Sequence, residues 1–299
     1  MGSPLRLTLA GSRDPARAWD AVTDEFRAAE AAMTRFSPSS GLTRLNATAG
    51  AGALVPVDRR LGDAVATCDR AARVTGGRFD ARIVVDLERL GDDGVLQRAP
   101  HARGRRGTAT RLVRARCRDG RVAIDDPVDL GGIGKGLALR WAATRLEGLG
   151  ERDFLLDAGG DIVARGAPPD GVWRVAIEDP AGAIDALAIV GLGSDAIATS
   201  SVRRRRWLAG GREGHHLIDP ATGRPAAGNL LAVTVADRDP AWAEIWSKAL
   251  FVAGRAAIGP LARGRGLAAW WVADDGTLGM TPAARPRTLW VATETDLPA

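Results

Sequence analysis

Nowhere does the sequence hold a run of about eighteen uncharged apolar residues, the length a helix needs to cross a bilayer, so no membrane-spanning helix is expected. The segment Met1 to Ala10 places Arg6 inside a short alternating run. It has neither a charged stretch followed by an apolar one nor a cysteine for a lipid anchor, and a cytoplasmic chain is expected. Cysteine is scarce, with only Cys68 and Cys117 present. Cys68 falls on the apolar stripe of a predicted helix and Cys117 in a predicted strand. Both are read as buried free thiols, without disulfide or metal chemistry. Low-complexity tracts are absent too, and 45% of the 299 residues are hydrophobic, enough for a globular protein with a substantial core.

Lysine is the scarcest cation. It occurs only at Lys135 and Lys248, while every other basic side chain apart from three histidines is arginine. Lysine carries a compact point charge and arginine a broad planar fork, so the two lysines mark places where a guanidinium does not fit, unless they survive by chance. The formal net charge of +5 therefore comes almost wholly from arginine. Its densest cluster, Arg203 to Arg206, lacks interleaved aromatics and stands in a chain with 36 acidic residues, so nucleic acid is not an expected partner.

Asp14-Pro15 opens a predicted helix, with a cap and a proline at its first position, and Trp19, Val22, Phe26, Ala29 and Met33 fall on one face. After a polar loop over 37–41, Asp58 caps a second helix with the stripe Leu61, Val65, Cys68 and Ala72, closed by Gly76-Gly77. Residues 111–124 read as a hairpin around Asp119-Gly120. Strands are expected over 154–156, 173–177, 187–190, 230–235, 267–272 and 289–292, and helices over 136–149 and 242–252. The two element types do not alternate regularly. The expected fold class is therefore α+β with mixed or antiparallel sheets and flanking helices, not a doubly wound parallel sheet. With no internal repeat and no linker long enough to force a boundary, residues 1–299 are read as a single domain.

Three segments carry chemistry. Asp129-Leu-Gly-Gly-Ile-Gly-Lys135-Gly runs from an extended stretch into a helix. Such a turn exposes backbone N–H groups and the positive end of the helix dipole, a natural seat for phosphate, and Lys135 adds a formal charge. It is no P-loop, because Asp129 and Gly136 stand where glycine and Ser/Thr are required. It is no dinucleotide fingerprint either, because Leu137 stands where the last glycine belongs. In Asp157-Ala-Gly159-Gly160-Asp161 the glycines permit close backbone approach and the carboxylates suit a ribose or an adenine amine; a turn with Asx bonding fits equally well. The third segment joins Ala198-Thr199-Ser200 to His215-His216-Leu-Ile-Asp219-Pro220-Ala-Thr222-Gly223. Adjacent histidines in a strand face opposite ways, so both do not easily share a metal; one facing a ligand and exposure of both are the alternatives.

Met33 with Ser37 to Asn46, Gly77-Arg-Phe79-Asp80, Asp129 to Gly136, Gly159-Gly160-Asp161, Trp173 with Glu178-Asp-Pro180, Ala198-Thr199-Ser200, His215 to Gly223 and Glu244 to Leu250 together resemble, in order, the ApbE family. The resemblance covers roughly residues 20 to 255. It implies an α+β fold related to the T-fold and magnesium-dependent attack of a target protein's Thr or Ser hydroxyl on FAD, which leaves FMN on that protein and releases AMP. The alternative it implies is hydrolysis of FAD to FMN and AMP without transfer.

Matched residue by residue, the resemblance puts Met33 at the flavin, Asp129 and Lys135 around FAD, and His216 at the flavin site. Asp80, Gly131, Gly160, Thr199 and Ser200 complete the expected cofactor-binding set. His216 and Asp161 are the candidate bases, with metal-bound water as a third, and Lys135 the candidate phosphate neutraliser. The Gly132 carbonyl falls where the family uses a backbone oxygen on magnesium. Side-chain ligands in the family are usually Asp and, four residues on, Thr; those places hold Glu244 and Lys248 here. A glutamate can ligate magnesium and an ammonium cannot. An ordinary i,i+4 ion pair and an ammonium standing in for part of the metal's charge are the two readings of that substitution. The aromatic Trp-Gly that many members carry after the Phe-Asp motif is Leu90-Gly91 here.

Overall fold

The structure, a computed structural model, describes residues 3–90, 115–182, 185–202, 206–209 and 212–292. Its elements begin with β1 (Leu5–Leu9), α1 (Pro15–Met33), α2 (Gly41–Asn46), β2 (Val55–Pro56), α3 (Arg59–Val74), α4 (Val84–Arg89), β3 (Arg116–Arg118) and β4 (Arg121–Ala123). Next come α5 (Gly134–Gly148), β5 (Phe154–Ala158), β6 (Asp161–Arg165), β7 (Trp173–Glu178), β8 (Ala186–Leu192) and β9 (Ala196–Ser201). The short pairs β10 (Arg206–Ala209) with β11 (Arg212–His215) and β12 (Ile218–Asp219) with β13 (Arg224–Pro225) follow. β14 (Leu230–Asp237), α6 (Pro240–Ala253), α7 (Arg255–Gly264), β15 (Ala268–Ala273), β16 (Leu278–Met280) and β17 (Thr288–Val291) complete the chain. The expected α+β class is what is found. Part of the Arg203 to Arg206 cluster and part of the predicted 111–124 hairpin lie outside the described residues.

These elements fall into two compact units, each assembled from separate stretches of chain. One comprises Phe26–Gly134 and Arg206–Pro225; the other comprises Gly2–Glu25, Lys135–Arg205 and Ala226–Ala299.

The second of these units is built on a seven-stranded sheet in the order β1-β5-β6-β9-β14-β15-β16, antiparallel at every step. On β14 all residues from Ala232 to Ala236 are buried, the mark of a strand covered on both faces. One face receives α6, which starts where the Asp239 carboxylate caps the Ala241 N–H and Pro240 takes the first position. The other face is covered by the three-stranded sheet β17-β8-β7, which closes a core that includes Trp173, Val175, Val190, Leu192, Ile197 and Trp270. Each such side chain stabilises the fold by about 1.5–3 kcal/mol on burial. The indole N–H groups of Trp173 and Trp270 donate to the Arg165 carbonyl at 3.1 Å and the Thr288 hydroxyl at 3.0 Å, so their burial strands no donor.

The other unit holds the end of α1, then α2, α3 and α4, and the small sheet β2-β4-β3. Asp58 caps α3 by accepting from Arg60 N–H, and positive φ at Gly76 and Gly77 releases the chain after it, as the sequence indicated. The α1 stripe is buried from Val22 onward, while Trp19, one turn earlier, is 39% exposed. Asp119 and Gly120, both with positive φ, form the predicted two-residue turn. Cys68 is buried as expected. Cys117 is not: it lies exposed on β3, an edge strand with all three residues facing solvent, while the buried side of this sheet is supplied by Val122 and Ala123 of β4.

Candidate active site

In the unit built on the seven-stranded sheet, Lys135 stands in the first turn of α5 and extends its ammonium to two carboxylates. Its Nζ lies 2.6 Å from Asp161 Oδ2 and 2.9 Å from Glu244 Oε1. Asp161 is delivered by the β5–β6 hairpin, whose two turn residues Gly159 and Gly160 both take positive φ while Asp157 accepts the Gly160 N–H at 2.7 Å. The glycine pair is thus the Asx-bonded turn, and its tightness sets Asp161 at the start of β6. Glu244 comes from α6, and its second oxygen accepts the Gly136 N–H at 2.8 Å. This approach requires glycine at 136, since a Cβ there would lie 2.6 Å from the Ala241 Cα. One turn along α6, Lys248 Nζ stands 3.1 Å from the same Glu244 Oε1.

The Glu244 side chain is only 1% exposed, with Lys135 at 26% and Lys248 at 17%. The pair Glu244–Lys248 is therefore no surface i,i+4 contact worth a few tenths of a kcal/mol. It belongs to a desolvated cluster, where removing one partner leaves a buried charge at a cost of about 3–5 kcal/mol. Two ammoniums balance two carboxylates. Burial alone pushes the Glu244 carboxyl up, but Lys135, Lys248 and the Gly136 N–H overcome this and hold it at about 2. Burial likewise disfavours the Lys135 ammonium, yet Asp161 and Glu244 hold it charged with its pKa raised. At Asp161 burial wins over the pull of Lys135, and the carboxyl is pushed up.

Thr199 and Ser200, adjacent on β9, diverge. The Ser200 hydroxyl turns to α6 and meets the Ser247 hydroxyl at 2.7 Å, and Ser247 in turn donates to the Glu244 carbonyl at 2.9 Å. The Thr199 hydroxyl lies against that of Thr234 at 2.9 Å on the opposite face of the sheet. Only the Thr199 backbone joins the cluster, its N–H donating to Asp161 Oδ1 at 3.2 Å.

The donor set does not fit the magnesium ion that the ApbE resemblance implies. Glu244 Oε1 already faces two ammoniums and Oε2 a backbone N–H; Asp161 Oδ2 faces Lys135 and Oδ1 the Thr199 N–H. A divalent ion about 4 Å from one ammonium is repelled by roughly 8 kcal/mol at an effective dielectric of about 20. Among the described residues, no group of three or more His, Cys, Asp or Glu side chains could hold a metal.

In the other unit the predicted segments also converge. Asp129 Oδ1 accepts the Gly131 N–H at 2.8 Å and its Oδ2 pairs with Arg35 Nε at 2.5 Å, with Arg35 only 3% exposed. The Asp129 N–H donates to the Ala81 carbonyl at 2.7 Å, which ties the turn to the Phe79 to Arg82 segment. Asp80 there is buried and forked onto Arg82, Nε to Oδ1 at 2.9 Å. The buried Asn46 side-chain amide pairs with both backbone groups of Val128, at 2.9 and 3.0 Å, and fixes the chain entering Asp129. Gly132 lies half-buried in the turn, where the Ile133 and Gly134 N–H groups both bond the Leu130 carbonyl. Met33 is buried at the end of α1.

His215 ends β11 and His216 lies just past it, both half-buried, so strand alternation does not separate them and full exposure does not apply. The following turn is held by α4. Arg89 donates to the Gly223 carbonyl at 2.7 Å, and a Cβ on Gly223 would lie 2.6 Å from Asp86 Oδ1. Leu90, where many ApbE members carry tryptophan, caps α4, and Gly91 lies outside the described residues. Arg35, Arg82 and Asn46 were not singled out from the sequence, although Asn46 closes one of the segments that carry the resemblance. Their partners are up to 94 positions away, and an arginine after a helix or an asparagine in a polar stretch gives no local signal.

The fold is an antiparallel α+β architecture in which a glycine-rich turn leads into a lysine-bearing helix start. The chain belongs to the ApbE family, whose model matches residues 1–271. It is 27% identical over 291 residues to the FAD:protein FMN transferase of Escherichia coli K12, covering 92% of this chain and 83% of that protein. The flavinyl transferase ApbE of Pseudomonas stutzeri superposes with a TM-score of 0.79 at 28% identity, over 96% of this chain and 94% of that one. The ApbE protein of Thermotoga maritima, at 23% identity and 96% coverage of each chain, shares the fold with a TM-score of 0.82. No helix among the described residues is long and apolar enough to cross a membrane.

Proposed function

We propose that this chain is an FAD:protein FMN transferase: it moves the FMN part of FAD onto a Thr or Ser hydroxyl of a target protein and releases AMP. The observation that carries the reading is the Lys135 ammonium, held charged by two buried carboxylates at the first turn of α5, in a chain of the ApbE family. In the reaction the acceptor oxygen bonds to the phosphorus on the riboflavin side of the pyrophosphate. The bond from that phosphorus to the oxygen bridging to AMP breaks, AMP leaves with the electron pair, and the hydroxyl proton passes to a base. Negative charge develops on the phosphoryl oxygens, and a fixed ammonium stabilises it.

Asp161, raised by burial, is the base assigned in the sheet-based unit; His216 is the candidate in the other unit. Asp161, held by the Lys135 ammonium and the Thr199 N–H, moves a proton only if one of these contacts opens. Met33, Asp80, Asp129, Gly131 and His216 serve the flavin and nucleotide, and Gly160, Thr199 and Ser200 serve the nucleotide through backbone groups and positioning. Asp80, forked to the buried Arg82, and Asp129, paired with the buried Arg35 Nε, act as rigid acceptors rather than as bases. No step is assigned to magnesium, because the Glu244 carboxylate is already held by two ammoniums.

The ligand class is tested by fluorescence titration. FAD is expected to bind at least tenfold more tightly than riboflavin, because only FAD offers the pyrophosphate and adenosine. Equal affinities remove the reading of the Asp129 to Gly136 turn as a phosphate seat.

A further inference from the structure

We propose that the chain carries its own cation: the Lys248 ammonium, seated with Lys135 on Glu244, occupies the place of a divalent metal, so FAD binding here needs no divalent ion. The inference rests on the FAD reading above. Glu244 is 1% exposed and both oxygens of its carboxylate are engaged, Oε1 by Lys135 and Lys248 and Oε2 by the Gly136 N–H. Lys248 reaches that oxygen from the next turn of the same helix, so seating it needs no rearrangement of α6.

The turn that carries both groups is fixed to the sheet by the Ser247–Ser200 hydroxyl contact at 2.7 Å. The Lys248 side chain keeps 17% exposure, so the cluster is not wholly closed to solvent. A compact point charge is the property an ammonium shares with a metal ion and a guanidinium lacks. In this chain lysine is used at these two places and nowhere else.

Protein freed of metal with EDTA is titrated with FAD, with and without added magnesium, and magnesium is titrated calorimetrically into the FAD-loaded protein. The FAD dissociation constant should agree within about twofold in the two buffers, with no magnesium heat at millimolar concentration. Lys248→Thr should bind FAD at least tenfold more weakly with or without magnesium, because Lys135 still holds Glu244 Oε1 against a divalent ion. The comparison on the unaltered protein stands even if that variant does not fold. FAD binding that is lost in EDTA and restored by magnesium overturns the inference and leaves the flavin reading intact. An absence of FAD binding in both buffers overturns the flavin reading, and this inference with it.

Discussion

Glu244 accepts three hydrogen bonds while almost wholly removed from water, and that environment makes its behaviour with pH predictable. Its carboxyl, held at about 2 against an ordinary 4.5, favours the folded state at every pH above 4.5. That contribution fades as pH falls from 4.5 toward 2. Asp161, raised by burial, binds its proton more readily when folded and softens the loss. Glu244→Gln should therefore flatten the acid limb of a melting-temperature profile and lower stability at neutral pH by about 3–5 kcal/mol. An acid limb as steep as that of the unaltered protein would show that another carboxylate governs it. Lys135→Ala should act on both fold and function. By stripping the partner from Asp161 and Glu244 it should cost about 3–5 kcal/mol in denaturant unfolding and also weaken FAD binding. Its presence was legible from the glycine-rich turn; its structural duty was not, because Asp161 and Glu244 lie 26 and 109 positions away in sequence.

Helices α5 and α6 approach each other closely at Gly136, where a Cβ would meet the Pro240 carbonyl and the Ala241 Cα at 2.6 Å. Both contacts are backbone, so neither can swing aside. Gly136→Ala should force the helix starts apart, break the Gly136 N–H bond to Glu244 and lower the melting temperature by several degrees, with a parallel loss of FAD affinity. A variant with an unchanged melting temperature would contradict this packing. The helices with caps and the strands rich in branched residues could be read locally, as could the hairpin turn at Asp119-Gly120. Strands β6 and β9 could not be delimited so: β9, Ala-Ile-Ala-Thr-Ser-Ser, has small or polar residues everywhere but Ile197, and its place in the sheet comes from pairing with β14. Once that pairing makes 196–201 a strand, adjacent side chains alternate, so Thr199 and Ser200 face opposite ways although both were read as site residues.

Across the whole molecule, each compact unit draws on two or three separate stretches of chain, so the division leaves no linker for a sequence to display. The α+β class followed from irregular alternation of elements, and the family from segments in order. The chemistry of Lys248 followed from neither, because a buried pair and a surface pair have the same i,i+4 spacing. The central claim is transfer of FMN to protein, and intact mass spectrometry of the acceptor tests it most directly. The chain is incubated with FAD and a candidate acceptor bearing an exposed Thr or Ser, and AMP is assayed in the same tube. The account predicts an acceptor heavier by one phosphate-linked FMN, one AMP for each modified acceptor, and loss of both on replacing the acceptor hydroxyl. AMP formed at the same rate with and without acceptor, with the acceptor mass unchanged, would contradict it.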